Sequence, residues 1–173
     1  MSPNSAPLRP LREIKPSRKK PLNRTNPAIW SIASAYNGQY NMNICSYVTG
    51  ISMKPSRMVV GIYKNTLTLE LVRQSNEMVL QLLANHHYKL VRLLGQTSGY
   101  KKEKLRSLKI PVIQYKGHQC LADALSLIFL KIKQQIDAGD HWMMLCDISS
   151  FINLNEGIPL TMDVLREKKL VRI

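Results

Sequence analysis

The stretch Asn41-Met42-Asn43-Ile44-Cys45-Ser46-Tyr47-Val48-Thr49-Gly50-Ile51-Ser52 decides how the rest of this chain is read. Its even positions Met42, Ile44 and Val48 are apolar, whereas Asn41, Asn43, Cys45, Tyr47 and Thr49 are mostly polar or amphipathic. A period of two places successive side chains on opposite faces, so residues 41–49 are predicted to form a half-buried strand. Asn41 and Tyr47 are six positions apart and fall on one face of that strand. Such a polar and aromatic row would suit a wall that hydrogen-bonds a flat heterocycle. Periodicity alone fits an ordinary solvent-facing row better.

Moving toward the C-terminus, residues 57–63 (RMVVGIY) are rich in β-branched side chains between Pro55-Ser56 and Lys64-Asn65, which reads as a second strand. Further strands are predicted at 77–83, 110–115, 124–132 and 142–151. Short helices are predicted at 68–75 and 86–94, the second closing at Gly95. Six strands with occasional short helices do not alternate regularly enough for a doubly wound parallel sheet. A mainly β domain with short helices, built as an antiparallel barrel, is the expected class.

Three further segments carry candidate chemistry. Lys64-Asn65-Thr66-Leu67-Thr68 joins a strand to a helix start, where free amides attract anions; Lys64, Thr66 and Thr68 would complete a phosphate site, or Asn65, Thr66 or Thr68 would cap the helix. Ser98-Gly99-Tyr100-Lys101-Lys102-Glu103-Lys104-Leu105 reads as a capped, charged helical turn whose Lys104 could clamp a phosphate or stay solvated. Gly139-Asp140-His141-Trp142 is a turn entering a strand, and His141 there is either a turn residue or a donor to a redox ring. There is no GxGxxG fingerprint, Walker A loop, GxSxG elbow or HExxH pair, so hydrolase and kinase readings have no support.

The formal charge of +14 is unevenly spread. Residues 1–27 hold seven basic residues against Glu13 and are Pro-rich, so they are predicted to form a flexible arm ahead of a domain over 28–173. In the body the basic residues are interrupted by acids and are not interleaved with aromatics, which speaks against nucleic acid. A phosphate-bearing ligand is compatible with them. No apolar run is long enough to span a bilayer and the start shows no apolar signal region, so no membrane and a cytoplasmic location are expected. The three cysteines, Cys45, Cys120 and Cys146, lack metal or disulfide spacing and are expected to be reduced thiols in strands.

Taken in order, these pieces resemble the flavin reductase-like domain of the FMN-binding split-barrel family. Residues 41–52 match its pattern of Asn, three variable residues, a small residue, Ser, an aromatic, an apolar residue, Thr, Pro or a variable residue, an apolar residue and Ser. The match continues through Pro55, the apolar strand 58–62, Thr68 with Glu70-Leu71, Ser98-Gly99 with Lys104, and Gly139-Asp140-His141. Residues 123–146 are also similar to the flavin reductase-like module of flavodiiron proteins. The resemblance implies a split β-barrel that binds FMN, takes NADH or NADPH as electron donor and forms a homodimer. It further implies that Asn41 and Tyr47 line the isoalloxazine and ribityl side, that Lys64, Thr66 and Thr68 hold the phosphate, and that Lys104 and His141 supply the remaining polar contacts, with Ser46 also among the cofactor-binding residues and His141 at the chemistry.

Overall fold

A computed structural model describes residues 20–107, 109 and 111–171. The greater part of the predicted arm, residues 1–19, lies outside the described residues, as do 108 and 110 at the edge of the predicted strand 110–115. Residues 25 and 26, at the end of that arm, are tied to the body: the Arg166 guanidinium donates to the Thr25 carbonyl at 3.0 Å, and the Asp163 amide donates to Asn26 Oδ1 at 2.8 Å.

Among the described residues, nine strands form the frame. β1 (Trp30–Tyr36), β2 (Gln39–Cys45), β3 (Val48–Met53), β4 (Ser56–Tyr63), β5 (Glu77–Leu82), β8 (Ser126–Asp137) and β9 (His141–Asn153) make one antiparallel sheet in the order β2-β1-β5-β8-β9-β4-β3. β6 (Val112–Tyr115) and β7 (His118–Leu121) pair separately. Helices α1 (Leu67–Ser75), α2 (Val91–Gln96) and α3 (Met162–Glu167) are short. The two outermost strands, β2 and β3, are consecutive in the chain, so the sheet curls until its edges approach without closing. That is a split barrel.

The predicted strand 41–49 is therefore two strands, and this is the main correction to the sequence reading. Its two halves sit at opposite edges of the sheet, with Ser46-Tyr47 crossing between them. β1 was not anticipated, although Asn37-Gly38 marks it: both adopt positive φ (46° and 76°) in a two-residue turn, the preferred hairpin chemistry. Lys116-Gly117 repeats this between β6 and β7. The predicted helix 86–94 is a 3-10 turn (Asn85–Leu90) leading into α2. Gly95 lies inside α2 and packs on Ile44, so it does not close the helix.

Strand alternation divides the core. Ile32 faces inward with Val60, Ile62, Leu69, Val72, Leu80 and Met144, whereas its neighbour Ala33 faces Met42, Val79, Leu94, Leu121 and Leu160. α1 covers the barrel with Leu69 and Val72. Thr66 caps it, its hydroxyl accepting from the Leu69 amide at 3.3 Å, and Asn76 closes it at φ 59° with its amide on the Val72 carbonyl. Truncating a fully buried side chain such as Leu80 would cost about 2–5 kcal/mol.

Candidate functional site

β4 ends at Tyr63 directly opposite His141, the first residue of β9, and Tyr47 follows the crossing at Ser46. Three aromatic rings thus converge from three segments. The His141 imidazole meets Tyr47 edge-on at a centroid distance of 4.9 Å and Tyr63 at 5.1 Å. Its Nδ1 lies 2.7 Å from Asp140 Oδ1. With Asp140 as acceptor, Nδ1 carries a proton and Nε2 is left to exchange one. The same hydrogen bond holds the Asp140 carboxyl below its ordinary pKa.

These side chains border a cleft of about 770 Å³ lined also by Asn43, Ile44, Ser46, Gly61 and Gln96. No Lys, Arg, Asp or Glu lines it among the described residues. A second cleft of about 930 Å³ shares Ser46, Tyr47, Gly61 and His141 and extends past Thr49, Val59 and Met143. Tyr47 and Tyr63 are 61% and 54% exposed, leaving aromatic surface available for stacking. Cys45 also lines the first cleft, but burial pushes its thiol up to about 12, so no thiolate forms there at neutral pH.

The chain leaves this cleft through Lys64, whose amide bonds the Asp140 carbonyl at 3.0 Å. Lys64 Nζ pairs with the exposed Asp137 carboxylate at 2.8 Å and lies 5.5 Å from the Trp142 ring centroid, with Arg73 stacked on the same ring at 4.1 Å. An exposed ion pair of this type is weak and exchangeable. The first turn of α1 follows at once, presenting backbone amides behind Thr66.

Not every predicted site residue joins this group. Asn41 does not share a face with Tyr47: it is buried, and its Nδ2 donates to Thr68 Oγ1 at 2.8 Å. Thr68 is likewise buried, and its hydroxyl accepts that Asn41 hydrogen bond. Lys104 is buried rather than solvated, its Nζ donating to the Leu94 carbonyl at 2.6 Å and the Met42 carbonyl at 3.1 Å. Burial without a carboxylate partner lowers its pKa to about 8. Thr66 Oγ1 donates to the Tyr63 carbonyl at 2.9 Å as well as capping α1, which occupies its proton. Ser46, Tyr47, Lys64 and His141 remain at the clefts or beside them.

Sequence reasoning missed Gly61 and Tyr63, which lie within the strand read as 57–63; the glycine interrupting that apolar run was the available signal. It also missed a cluster of His86, His87 and Asp123. His87 is buried, accepts the Ala84 amide at Nδ1 (2.9 Å) and places Nε2 2.9 Å from Asp123 Oδ1. Because Nδ1 is an acceptor, the proton of neutral His87 sits on Nε2 and faces the carboxylate. That arrangement suits a hydrogen-bonded clasp between a neutral imidazole and a carboxylate better than a metal ligand, which needs a free lone pair at Nε2.

A family model described as the flavin reductase like domain matches residues 23–163. The chain belongs to this family. Among curated proteins, the high molecular weight rubredoxin of Moorella thermoacetica is 24% identical over 144 residues, 82% of this chain. The aligned region spans 62% of that relative's length. Among solved structures, the FMN-binding protein from Thermus thermophilus with bound 1-cyclohex-2-enone superposes with a TM-score of 0.70 at 18% identity, covering 84% of this chain and 80% of that one. Flavoredoxin from Methanosarcina acetivorans gives 0.69 at 15%, covering 84% and 80%. The styrene monooxygenase flavin reductase from Pseudomonas putida S12 gives 0.67 at 14%, covering 79% and 85%. These neighbours share the split-barrel fold, and family membership ties the domain to flavin. No helix among the described residues is long and apolar enough to cross a membrane.

Proposed function

We propose that this protein binds FMN and works as an NAD(P)H-dependent flavin reductase or flavin-mediated electron carrier. The supporting observation is the cleft at Tyr47, Tyr63 and His141, lined by no Lys, Arg, Asp or Glu among the described residues, whose Tyr63 is followed in the chain by Lys64 and then by the first turn of α1. A flat ring fits the first part, and a phosphate fits the second. Ser46, Tyr47 and Gly61 would border the isoalloxazine; Lys64 and the α1 amides would meet the phosphate, with Lys64 leaving its exposed pair with Asp137.

Bound flavin would supply the hydride chemistry, with NADH or NADPH as donor. The protein's own residues then have simpler tasks. Tyr47 and Tyr63 hold rings in register and exclude water, since hydride transfer needs reacting atoms within about 3–3.5 Å. Asp140 fixes the imidazole, so that His141 Nε2 can hold or release a proton beside the ring. The buried, unpaired cysteines fit a reducing compartment such as the cytoplasm. The exposed Ile51 and Met53 on edge strand β3 fit a homodimer that covers them.

The test is direct: purify the protein, record its visible spectrum with FMN, then add NADH or NADPH. Flavin absorbance that bleaches with either nicotinamide supports the reductase. Colour that persists supports the carrier or a non-enzymatic flavin-binding module. A protein that neither retains nor quenches flavin ends the proposal.

A further inference from the structure

Gly61 sits in the middle of β4 between Val60 and Ile62, where a residue without a side chain weakens a strand. The geometry shows what it permits. A Cβ built on Gly61 would lie 2.9 Å from Tyr47 Cβ, 3.5 Å from Cγ and 3.6 Å from Cδ2. Ordinary cross-strand Cβ atoms lie about 4.5–5.5 Å apart, so no other residue type fits here without displacement. The Gly61 amide also donates to the Tyr47 carbonyl at 2.8 Å, fixing the backbone at the β3 entry while the ring lies over the glycine.

This approach brings the Tyr47 ring edge-on to His141, which Tyr63 also meets edge-on. It also places Tyr47 in the wall of both clefts, between the one of about 770 Å³ and the one of about 930 Å³. We propose that Gly61 is a positioning residue: by seating Tyr47 against β4 it sets the partition between a flavin-ring cleft and an adjoining cleft for the second reactant. It acts through Tyr47 and has no chemistry of its own. This inference rests on the flavin reading above.

The experiment is a cycle of wild type, Gly61→Ala, Tyr47→Gly and the double variant, each titrated with FMN and scanned for the visible band of the bound flavin. Gly61→Ala is expected to weaken FMN binding by about tenfold and to shift the band, which reports the ring's neighbours and not global stability. In the Tyr47→Gly background no Cβ remains to collide. There the same substitution is expected to change affinity by less than about twofold and to leave the band in place, because two sites acting through one contact are not additive. Equal losses in both backgrounds, or no loss in either, would overturn the role of Gly61. If wild type binds no flavin, the functional reading fails instead, and the same cycle read by thermal unfolding still tests the seating: a Gly61→Ala loss that disappears in Tyr47→Gly upholds it, and an unchanged loss overturns it.

Discussion

Asn41 Nδ2 lies 2.8 Å from Thr68 Oγ1, a buried side-chain hydrogen bond that ties β2 to the first turn of α1. Both residues resemble ligand contacts in sequence, yet each satisfies the other in the interior. Gly99 packs against the same amide, since a Cβ there would lie 2.8 Å from Asn41 Oδ1.

Thr68→Ala should therefore behave as a core variant. It strands the Asn41 amide, at a cost of about 1–3 kcal/mol in urea unfolding. The folded fraction should keep FMN affinity within about twofold, less than the loss of a direct phosphate hydrogen bond would cause. A large loss of affinity in a protein of normal stability would return Thr68 to the ligand.

Lys64→Ala tests the phosphate end. Lys64 is partly exposed and already paired, so its contribution is set at about 1 kcal/mol or less. It should appear for FMN and not for riboflavin, which lacks the phosphate. Equal losses for both flavins, measured by fluorescence quenching, would place Lys64 elsewhere.

For the chemistry, His141→Asn should lower the rate of flavin reduction by roughly 10²–10⁴-fold if the imidazole exchanges a proton in the rate-limiting step. Asp140→Asn should give a smaller loss, because the imidazole stays but its orientation loosens. Stopped-flow reduction at saturating FMN separates these rates from binding, and wild-type rates in His141→Asn would remove it from the chemistry.

Lys104 makes stability depend on alkaline pH. Its folded pKa of about 8 lies below its ordinary 10.5, so between these values the unfolded chain holds the proton that the folded chain has released. Stability from this group therefore rises with pH across that window. The buried thiols work oppositely, since burial raises Cys45, Cys120 and Cys146 to about 12 and the unfolded chain ionises first above about 9. Comparing urea midpoints of wild type and Lys104→Met from pH 7.5 to 10 cancels the thiols. The difference should grow in favour of wild type as pH rises, and a flat difference would show a Lys104 with an ordinary pKa.

The dimer is tested on edge strand β3. Met53 is 91% exposed and Ile51 51% exposed. Light scattering at micromolar concentration should give twice the 19.8 kDa chain mass, and Ile51→Lys with Met53→Lys should return it to one chain. A monomeric wild type would remove the dimer.

Local signals in the sequence were enough for β4, β5, β8, β9 and α1, because each is a short run whose apolar period and bounding Pro, Gly, Asn or Thr act within the run itself. The four candidate segments were likewise visible as residue types: Ser46-Tyr47, Lys64 to Thr68, Lys104 and His141. Their environments were not. The apolar row of residues 41–49 is broken at Ser46, where the chain leaves one edge of the sheet and enters the other, but one polar residue in a period of two reads equally as a single strand with one solvated position. Lysine is nearly always solvated, so only the surrounding carbonyls of Met42 and Leu94 reveal Lys104 as an internal brace. The seating of Tyr47 on Gly61 follows from the register of the β3–β4 hairpin, which sets two residues fourteen positions apart at a distance no side chain tolerates; tertiary structure alone decides that β9 pairs with β4 and brings His141 beside them, because that pairing joins segments far apart in the chain.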